Sequence, residues 1–237
     1  PHHMEMDSEG NIYIFGSYGQ MMSIDTTYLP TAGTDNHRAG FLAKFDCQGN
    51  LLWTKAVNCQ QRDVNANWMQ IKNDTIYIMG DFHLDFTYAT YFLDTMIYGN
   101  QLTYPYTYPW IPNKSYNYFA KISQDGEILE RHFLHSSSQF QYLFDKYAPF
   151  YIDNFNNIYM LSQYLTMLEP YSETYSFYID SVPVINDVFY DFDNWILTKY
   201  DADFNPIWHK PLIDSLSTWQ STLEFNDMTT DADNNMY

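Results

Sequence analysis

One strand-like segment recurs four times along the chain, and this repeat limits the folds that the sequence can adopt more than any other feature. The copies are Asp7–Gly16 (DSEGNIYIFG), Asn73–Gly80 (NDTIYIMG), Asp153–Ser162 (DNFNNIYMLS) and Asp231–Tyr237 (DADNNMY). A second segment recurs as 41–46 (FLAKFD), 118–123 (YFAKIS) and 195–201 (WILTKYD). Each copy of this second segment runs into a turn and a further strand-like stretch. Self-similarity of this kind is the signature of a repeat architecture.

Each unit is predicted to contain four short strands, named A to D here. The A–B and C–D links are rich in Asp, Asn and Gly, which is typical of tight hairpin turns. Strand A is predicted as a few residues, such as 69–72. Strand B is apolar at both alternations, because Ile12 and Ile14 point to one face and Tyr13 and Phe15 to the other. Such a strand needs cover on both faces. Blades stacked around an axis supply that cover, whereas a lone sheet does not.

The sequence therefore predicts an all-β fold over residues 1–237: a partial β-propeller of about three four-stranded antiparallel blades in an open arc. The predicted blades are approximately 4–57, 68–134 and 149–212, with the start of a fourth at 223–237. Closed propellers need roughly four to eight blades. We expect the natural protein to be longer, and we regard a dimer that closes a six-blade ring as the less favoured alternative.

Composition excludes some partners. The net charge of −18 argues against nucleic acid, whose phosphates require clustered Lys and Arg. An acidic surface favours solubility and attracts calcium or cationic ligands without identifying either. No apolar run is long enough to span a membrane. The two cysteines, Cys47 in a predicted turn and Cys59 beyond the following strand, are expected to be too far apart to form a disulfide.

The repeat resembles a known family. Residues 7–16 (DSEGNIYIFG) and 41–53 (FLAKFDCQGNLLW) carry the closest match to the bacterial seven-bladed β-propeller repeat family. Gly49 and Gly126 keep the turn glycine that Phe204 lacks, and Glu130 stands where the other units have tryptophan. Members of this family occur in large secreted or surface proteins, often exported by type IX secretion. The resemblance therefore implies an extracellular or cell-surface location. It transfers no catalytic residues.

Motifs that would carry chemistry fit structural roles better. The turns at Asp7 and Asp231 resemble calcium loops superficially, but they lack the glycine bend and the distal glutamate, so Asx hairpin turns are favoured. His132 and His135 would lie on opposite faces of a strand and could not share a metal ion. The 16–19 stretch is one residue short of a nucleophile elbow. We expect no catalytic residue, metal or cofactor.

Short Asp-Thr or Asp-Ser triplets leave two interpretations open. They are similar to an O-glycosylation sequon used by bacteria with this export route, but three of them fall at one repeated turn, where Asp and Thr also suit the backbone. The triplets begin at Asp25, Asp74, Asp94 and Asp180.

The B–C connection of the middle unit contains the candidate ligand site. Its prolines favour an extended loop that leaves Tyr104, Tyr106, Tyr108 and Trp110 available to stack on a sugar or peptide. The alternative, that these aromatic side chains cover the blade, is the more ordinary outcome. The B–C and D–A connections lie on one face of the blades and are expected to be long, with the B–C connections at roughly 18–40, 82–117 and 164–194. A binding site is therefore expected on that face.

The sequence therefore favours a non-enzymatic extracellular segment of a larger protein that acts as a binding or structural module. Its expected partners are a glycan or protein ligand on the B–C face and the remaining blades of the parent propeller. The alternative is part of a carbohydrate-active enzyme or glycan-binding protein whose active residues lie elsewhere in the parent chain. A purely architectural spacer is a third possibility.

Overall fold

The structure is a computed structural model, and it describes most of the repeat units but not all of the connections between them. The described residues are 2–19, 21–29, 37–59, 63–84, 89–92, 95–98, 114–136, 149–164, 177–179, 182–185, 194–212, 228–229 and 231. Eighteen strands and no helix are found within these ranges. The predicted all-β fold is therefore confirmed. The start of the fourth unit, at 223–237, lies almost entirely outside the described residues.

Each of the three repeat units forms four neighbouring antiparallel strands, and we call these sets of four blades 1, 2 and 3. Blades 1 and 2 each lie within a six-stranded sheet, and blade 3 is a four-stranded sheet. In blade 1 the order is β1 (His3–Met6), β2 (Ile12–Tyr18), β5 (Ala39–Phe45) and β6 (Leu51–Cys59). In blade 2 it is β7 (Val64–Lys72), β8 (Thr75–Leu84), β11 (Lys114–Ile122) and β12 (Ile128–Ser136). In blade 3 it is β13 (Phe150–Ile152), β14 (Ile158–Tyr164), β17 (Asn194–Tyr200) and β18 (Pro206–Leu212).

The B–C insertions contain short additional strands, which the sequence pattern did not predict. Within the described residues, each insertion contains two such strands. They are β3 (Met22–Ile24) and β4 (Thr27–Leu29), β9 (Ala89–Phe92) and β10 (Thr95–Tyr98), and β15 (Phe177–Ile179) and β16 (Val182–Ile185). The first Asp-Thr triplet forms the turn between β3 and β4. It therefore has a structural role whether or not it is modified.

Other boundaries also differ from the sequence-based expectation. Strand A of blade 2 runs over Val64–Lys72 instead of a few residues. The D–A connection between blades 1 and 2 spans only residues 60–63, although connections on this face were expected to be long. Cys59 is the last residue of β6 and does not follow the strand. Cys47 lies in a turn, as predicted, and is an exposed free thiol.

The chain forms two compact units, one of Pro1–Leu134 with Ile179–Ser181, the other of His135–Tyr178 with Val182–Tyr237. Blades 1 and 2 belong to the first unit, and blade 3 belongs to the second.

The register is the same in all three blades. The lysine of strand C lies opposite the tyrosine of strand B in each: Lys44 and Tyr13, Lys121 and Tyr77, Lys199 and Tyr159. On its other side the lysine lies opposite Trp53, Glu130 or Trp208 of strand D. A register shift follows each of the three lysines. Because a slip of one residue would reverse both faces of a blade, the repeated motif keeps the same side chains on the same face in every copy.

Five turns share one hydrogen-bond pattern. In each, the first residue donates its N–H to the fifth carbonyl, and the fourth residue donates its N–H to the first carbonyl. Four of them begin with aspartate, whose carboxylate accepts the backbone N–H groups of the third and fifth residues. The turns are Asp7–Asn11, Asp46–Asn50, Ser123–Glu127, Asp153–Asn157 and Asp201–Asn205.

The fourth turn residue adopts a left-handed conformation in all five turns, and this requirement explains the glycines of the repeat. Phe204 occupies that position with φ 62°, although a side chain is disfavoured there. Its ring stacks on Tyr200 with the centroids 4.5 Å apart. Packing of the ring therefore offsets the missing glycine.

Blades 1 and 2 pack face to face and share one hydrophobic core. Blade 1 contributes a face that we call its trailing face, formed by Tyr13, Phe15, Leu42, Lys44, Trp53 and Val57. Blade 2 contributes Val64, Ala66, Met69, Ile76, Ile78, Ala120 and Ile122. Stacking of two blades through apolar faces is the arrangement that the two-sided strands require.

Candidate functional site

The four aromatic residues predicted to bind a ligand, Tyr104, Tyr106, Tyr108 and Trp110, lie outside the described residues. Their role stays a prediction. The described ends of β8 and β11, from which this insertion leaves and to which it returns, can be analysed directly.

Polar side chains cluster at this end of blade 2. Asn65 lies opposite Asp81, and Asp81 lies opposite Asn117, so the three residues form a row across neighbouring strands β7, β8 and β11. Residues directly opposite one another project from the same face of a sheet. Asn67 joins them from a bulge in β7. We call Asn65, Asn67, Asp81 and Asn117 the polar row.

The Asp81 carboxylate is held by two amide groups. Asn65 donates its Nδ2 to Oδ2 at 2.9 Å, and Asn67 donates its Nδ2 to Oδ1 at 3.0 Å. Because Nδ2 of each asparagine donates to Asp81, the side-chain oxygen Oδ1 of each asparagine is left as an acceptor for other groups. Asn67 is almost fully buried, whereas Asp81 and Asn65 keep partial exposure to solvent.

Asn67 lies two residues from Asn65, so the strand alternation places both side chains on the same face of β7. The pairing of β7 with β8 shifts register between Ala66 and Trp68, which leaves Asn67 as the extra residue of a β-bulge. From this bulge Asn67 reaches the Asp81 carboxylate. The N–H of Ala66 donates to Ser17 Oγ of blade 1 at 2.9 Å, so the bulged segment is also attached to the neighbouring blade.

Gly80 permits the close packing beside the row. A Cβ at this position would lie 2.1 Å from the Asn65 carbonyl oxygen and 2.4 Å from the Tyr118 hydroxyl. That hydroxyl donates to the Asn65 carbonyl at 3.1 Å. Burial, reinforced by the negative charge of Asp81, raises the pKa of Tyr118 well above its ordinary value. Tyr118 therefore remains a neutral donor that fixes the backbone under Asn65.

Asn117 is the unusual member of the row. Its side chain is 1% exposed, and neither its Nδ2 nor its Oδ1 has a hydrogen-bond partner. Buried amide groups are nearly always paired, with protein or with an ordered water. Leaving both groups unpaired costs about 1–3 kcal/mol for each. An unsatisfied buried amide beside a partly exposed carboxylate is the clearest indication of a ligand or water site in the described part of the chain.

Charged groups of blade 1 lie at the same end of the first unit. The Asp63 carboxylate accepts the backbone N–H of Arg38 at 2.8 Å, and His37 Nδ1 lies 3.4 Å from it. The N–H of Val64 donates to the Arg38 carbonyl. These contacts fix the short connection between the two blades next to the polar row.

The chemistry available here is recognition through hydrogen bonds. The row offers a carboxylate and amide oxygens as acceptors and the Asn117 nitrogen as a donor. Among the residues that the structure describes, no three His, Cys, Asp or Glu side chains are grouped closely enough to hold a metal ion.

The carboxylate of Asp7, one of the two aspartates whose turns resemble calcium loops, is used within its own turn. Its Oδ1 accepts the N–H groups of Glu9 and Asn11, and its Oδ2 accepts Asn11 Nδ2 and the Tyr13 hydroxyl. Asp153 makes the same set of bonds in blade 3. These carboxylates close hairpin turns, as the Asx interpretation predicts. The turn that follows Asp231 lies outside the described residues.

Blade 2 has a second polar cluster, centred on Glu130, at the position where the other two blades have tryptophan. Glu130 pairs with Lys121 and accepts His132 Nε2 at 2.7 Å. Burial raises the pKa of Glu130, but the hydrogen bonds and charges of Lys121 and His132 outweigh it and hold that pKa below its ordinary value. His132 thus has a carboxylate partner on its own strand.

Sequence reasoning missed the polar row because its members lie far apart in the chain. One signal was available, since Asp81 directly follows Gly80 at the position that Ser17 occupies in the first unit. A charged residue at the end of an otherwise apolar strand B marks this unit as different from the first.

Comparisons with known proteins do not identify the chain. A scan against protein-family models and a search of curated proteins both give no match. No helix in the described ranges is long and apolar enough to cross a membrane.

Proposed function

We propose that the chain is a non-enzymatic, extracellular binding module of a larger β-propeller, and that it binds its ligand at the B–C end of blade 2. The observation that carries the proposal is the buried and unsatisfied amide of Asn117 in the polar row. A buried polar group without a partner in an otherwise well-paired sheet is typical of a functional site. The resemblance to secreted propeller repeats supports the extracellular location.

A neutral, hydroxyl-rich ligand such as a glycan fits this chemistry best. A hydroxyl group both donates and accepts, so it matches amide and carboxylate groups placed side by side. The net charge of −18, together with Asp81 in the row, disfavours an anionic ligand. Asn117 is too buried for direct contact in this conformation, and a water that enters with the ligand would bridge the two. The predicted aromatic residues Tyr104 to Trp110 belong to the insertion that starts and ends beside the row, and would supply stacking faces.

Binding of neutral oligosaccharides on a glycan array, followed by titration of any that bind, tests this proposal. Asn117→Leu is expected to weaken binding about tenfold, which is the equivalent of one hydrogen bond. Gln48→Ala is the matched control and should bind normally, because Gln48 lies in an exposed C–D turn of blade 1, at the end of the blades opposite to the polar row. Equal affinities for Asn117→Leu and the parent protein would remove the polar row from the binding site.

A turnover assay on the same oligosaccharides separates a binding module from the carbohydrate-active alternative. The proposal predicts that bound oligosaccharides are recovered intact. Hydrolysis that scales with protein concentration would contradict it.

A further inference from the structure

The polar row brings together oxygen atoms of the kind that calcium prefers. Calcium in proteins takes about six to eight oxygen ligands from carboxylates, side-chain amides, backbone carbonyls and water. The row supplies one carboxylate, that of Asp81, and the amide oxygens of Asn65, Asn67 and Asn117. Sequence motifs did not indicate such a site, because its ligands come from three different strands. The donor set matches a hard cation and lacks the sulfur or imidazole ligands that transition metals favour.

The repeat itself does not require these polar side chains. Asp81 of strand B lies opposite Asn117 of strand C in blade 2. The equivalent pairs are Ser17 with Gly40 in blade 1 and Gln163 with Trp195 in blade 3. Neither of those pairs contains a carboxylate. The polar row is therefore a property of blade 2 alone among the three blades, and the conserved architecture of the units does not explain it.

The distances around Asp81 match the spacing of calcium ligands. Asn65 Nδ2 lies 2.9 Å from Asp81 Oδ2, and Asn67 Nδ2 lies 3.0 Å from Asp81 Oδ1. Rotation of each amide group by half a turn exchanges its Nδ2 and Oδ1, and so places an amide oxygen at each of these distances. Neighbouring oxygens in the plane of a pentagonal bipyramid around calcium are about 2.8 Å apart. Asn65, a bidentate Asp81 and Asn67 can thus form one side of a calcium coordination shell.

Asn117 supplies an independent indication on the other side of Asp81. The two residues lie directly opposite each other on neighbouring strands, yet neither Nδ2 nor Oδ1 of Asn117 forms a hydrogen bond. Ligands on opposite sides of a calcium ion are about 4.8 Å apart and do not contact each other. A cation between Asp81 and Asn117 therefore accounts for two polar groups that face the same space without bonding, and it gives the buried Asn117 oxygen a partner.

We propose that the polar row binds one calcium ion, with Asp81 as a bidentate ligand and the Oδ1 atoms of Asn65, Asn67 and Asn117 as further ligands. The remaining coordination positions take water or the hydroxyl groups of a glycan. This inference rests on the polar row being the ligand site of the proposed function, and it adds the cation that would hold those hydroxyl groups. A single carboxylate gives a weak site, with an expected Kd of about 10⁻⁴–10⁻³ M.

Thermal unfolding of chelator-treated protein at a series of calcium concentrations tests the proposal without any glycan. A cation that binds only the folded protein raises the melting temperature as its concentration exceeds the Kd. Magnesium at the same concentrations is the comparison, because it requires a smaller octahedral shell and gives up its water reluctantly. A constant excess of potassium chloride screens the net charge of −18 in every sample. Calcium should raise the melting temperature, and magnesium should have little effect.

Two matched substitutions locate the effect. Asp81→Asn removes the only carboxylate of the row and should abolish the calcium-dependent gain. Asp125→Asn removes the same charge from an exposed turn of the same blade and should retain the gain.

Asn117→Asp gives a test in the opposite direction. Without calcium, a second carboxylate buried beside Asp81 should lower the melting temperature, because two like charges are held together away from water. With calcium, the variant should recover, and it should bind calcium at least about tenfold more tightly than the parent, since affinity follows the number of charged ligands. Displacement of luminescent terbium by calcium measures the two affinities directly.

A melting-temperature gain that magnesium reproduces, or that survives Asp81→Asn, would assign the effect to the general surface charge and overturn the proposal. Failure of calcium to rescue Asn117→Asp would also overturn it. Glycan binding that persists in chelator, together with no calcium binding, would overturn the calcium site and leave the proposed function in place. Calcium binding with no glycan bound at any calcium concentration would support the calcium site and count against the glycan.

Discussion

At the scale of single residues, Asn117 and Gly80 determine the chemistry and the packing at the B–C end of blade 2. Asn117 places an amide where the strand alternation provides burial, and the sheet gives it no partner. Gly80 leaves out a side chain where Asn65 and Tyr118 approach most closely. Gly80 permits close packing, whereas Asn117 gives up stability because its amide is left unpaired. A position that gives up stability in this way is commonly functional.

Replacement of Asn117 by leucine should therefore stabilise the protein. Leucine has a similar size and removes two unpaired polar groups, so the free energy of unfolding should rise by about 1–3 kcal/mol. Urea denaturation of the variant and the parent measures this difference. A lower stability would mean that Asn117 makes hydrogen bonds in solution that this structure lacks.

Replacement of Gly80 by alanine should strongly destabilise blade 2. The added Cβ would overlap the Asn65 carbonyl oxygen, and the β7 backbone would have to move. Overpacking of this type costs about 3 kcal/mol. Gly19→Ala is the control, because a Cβ there meets nothing within 4 Å. If both variants unfold at the same urea concentration, the close approach of β7 to β8 is wrong.

At the scale of strands and turns, local chemistry accounts for the features that the sequence predicted. The Asp and Asn residues of the turns bond within five residues of chain, so their role can be inferred from the motif alone. The strand B pattern at Ile12 to Phe15 likewise reports burial on both faces. Strand β9 was not predicted, because it pairs with β6, a strand of the previous unit.

The polar row and the hydrogen bonds between blades 1 and 2 could not be predicted, and the physical reason is the same for both. Asn65 and Asn117 come together only after β7, β8 and β11 have paired in one register. The bonds from Trp53 and Lys44 to Gln124 cross between two repeat units. Sequence periodicity indicates which face of a strand is buried, but it does not identify the group that each side chain meets across the interface.

In blade 2, Glu130 occupies the strand D position at which blades 1 and 3 have tryptophan. This difference affects how the stability of the protein depends on pH. Glu130 has a pKa below its ordinary value of 4.5 in the folded protein. A carboxyl group with a lowered pKa gives stability that is complete above its unfolded-state pKa and is lost as the pH falls through the folded-state pKa. The parent protein should therefore lose more stability than Glu130→Gln as the pH falls below 4.5.

Urea denaturation at a series of pH values checks this expectation. Glu127→Gln, at an exposed turn residue just before the same strand, is the matched control and should follow the parent. Parallel curves for the parent and Glu130→Gln would show that the cluster with Lys121 and His132 does not contribute to acid stability.

At the scale of the whole molecule, the account depends on sheets that are apolar on both sides and therefore stack. Blade 1 lies against blade 2 through the shared core. The proposed ligand site lies at one end of blade 2.

A disulfide between blades 1 and 2 tests the stacking most directly. A Cβ at Gly40 in blade 1 would lie 3.8 Å from the Cβ of Ala66 in blade 2, which is within the range of disulfide geometry. In a protein with both native cysteines changed to serine, Gly40→Cys and Ala66→Cys are expected to form an intramolecular disulfide on mild oxidation. The control pair Leu52→Cys and Ala66→Cys should remain reduced, because Leu52 is exposed and precedes Trp53 on β6, so that it projects from the face of blade 1 opposite to blade 2. Two free thiols at positions 40 and 66 after oxidation of the folded protein would contradict the stacked arrangement.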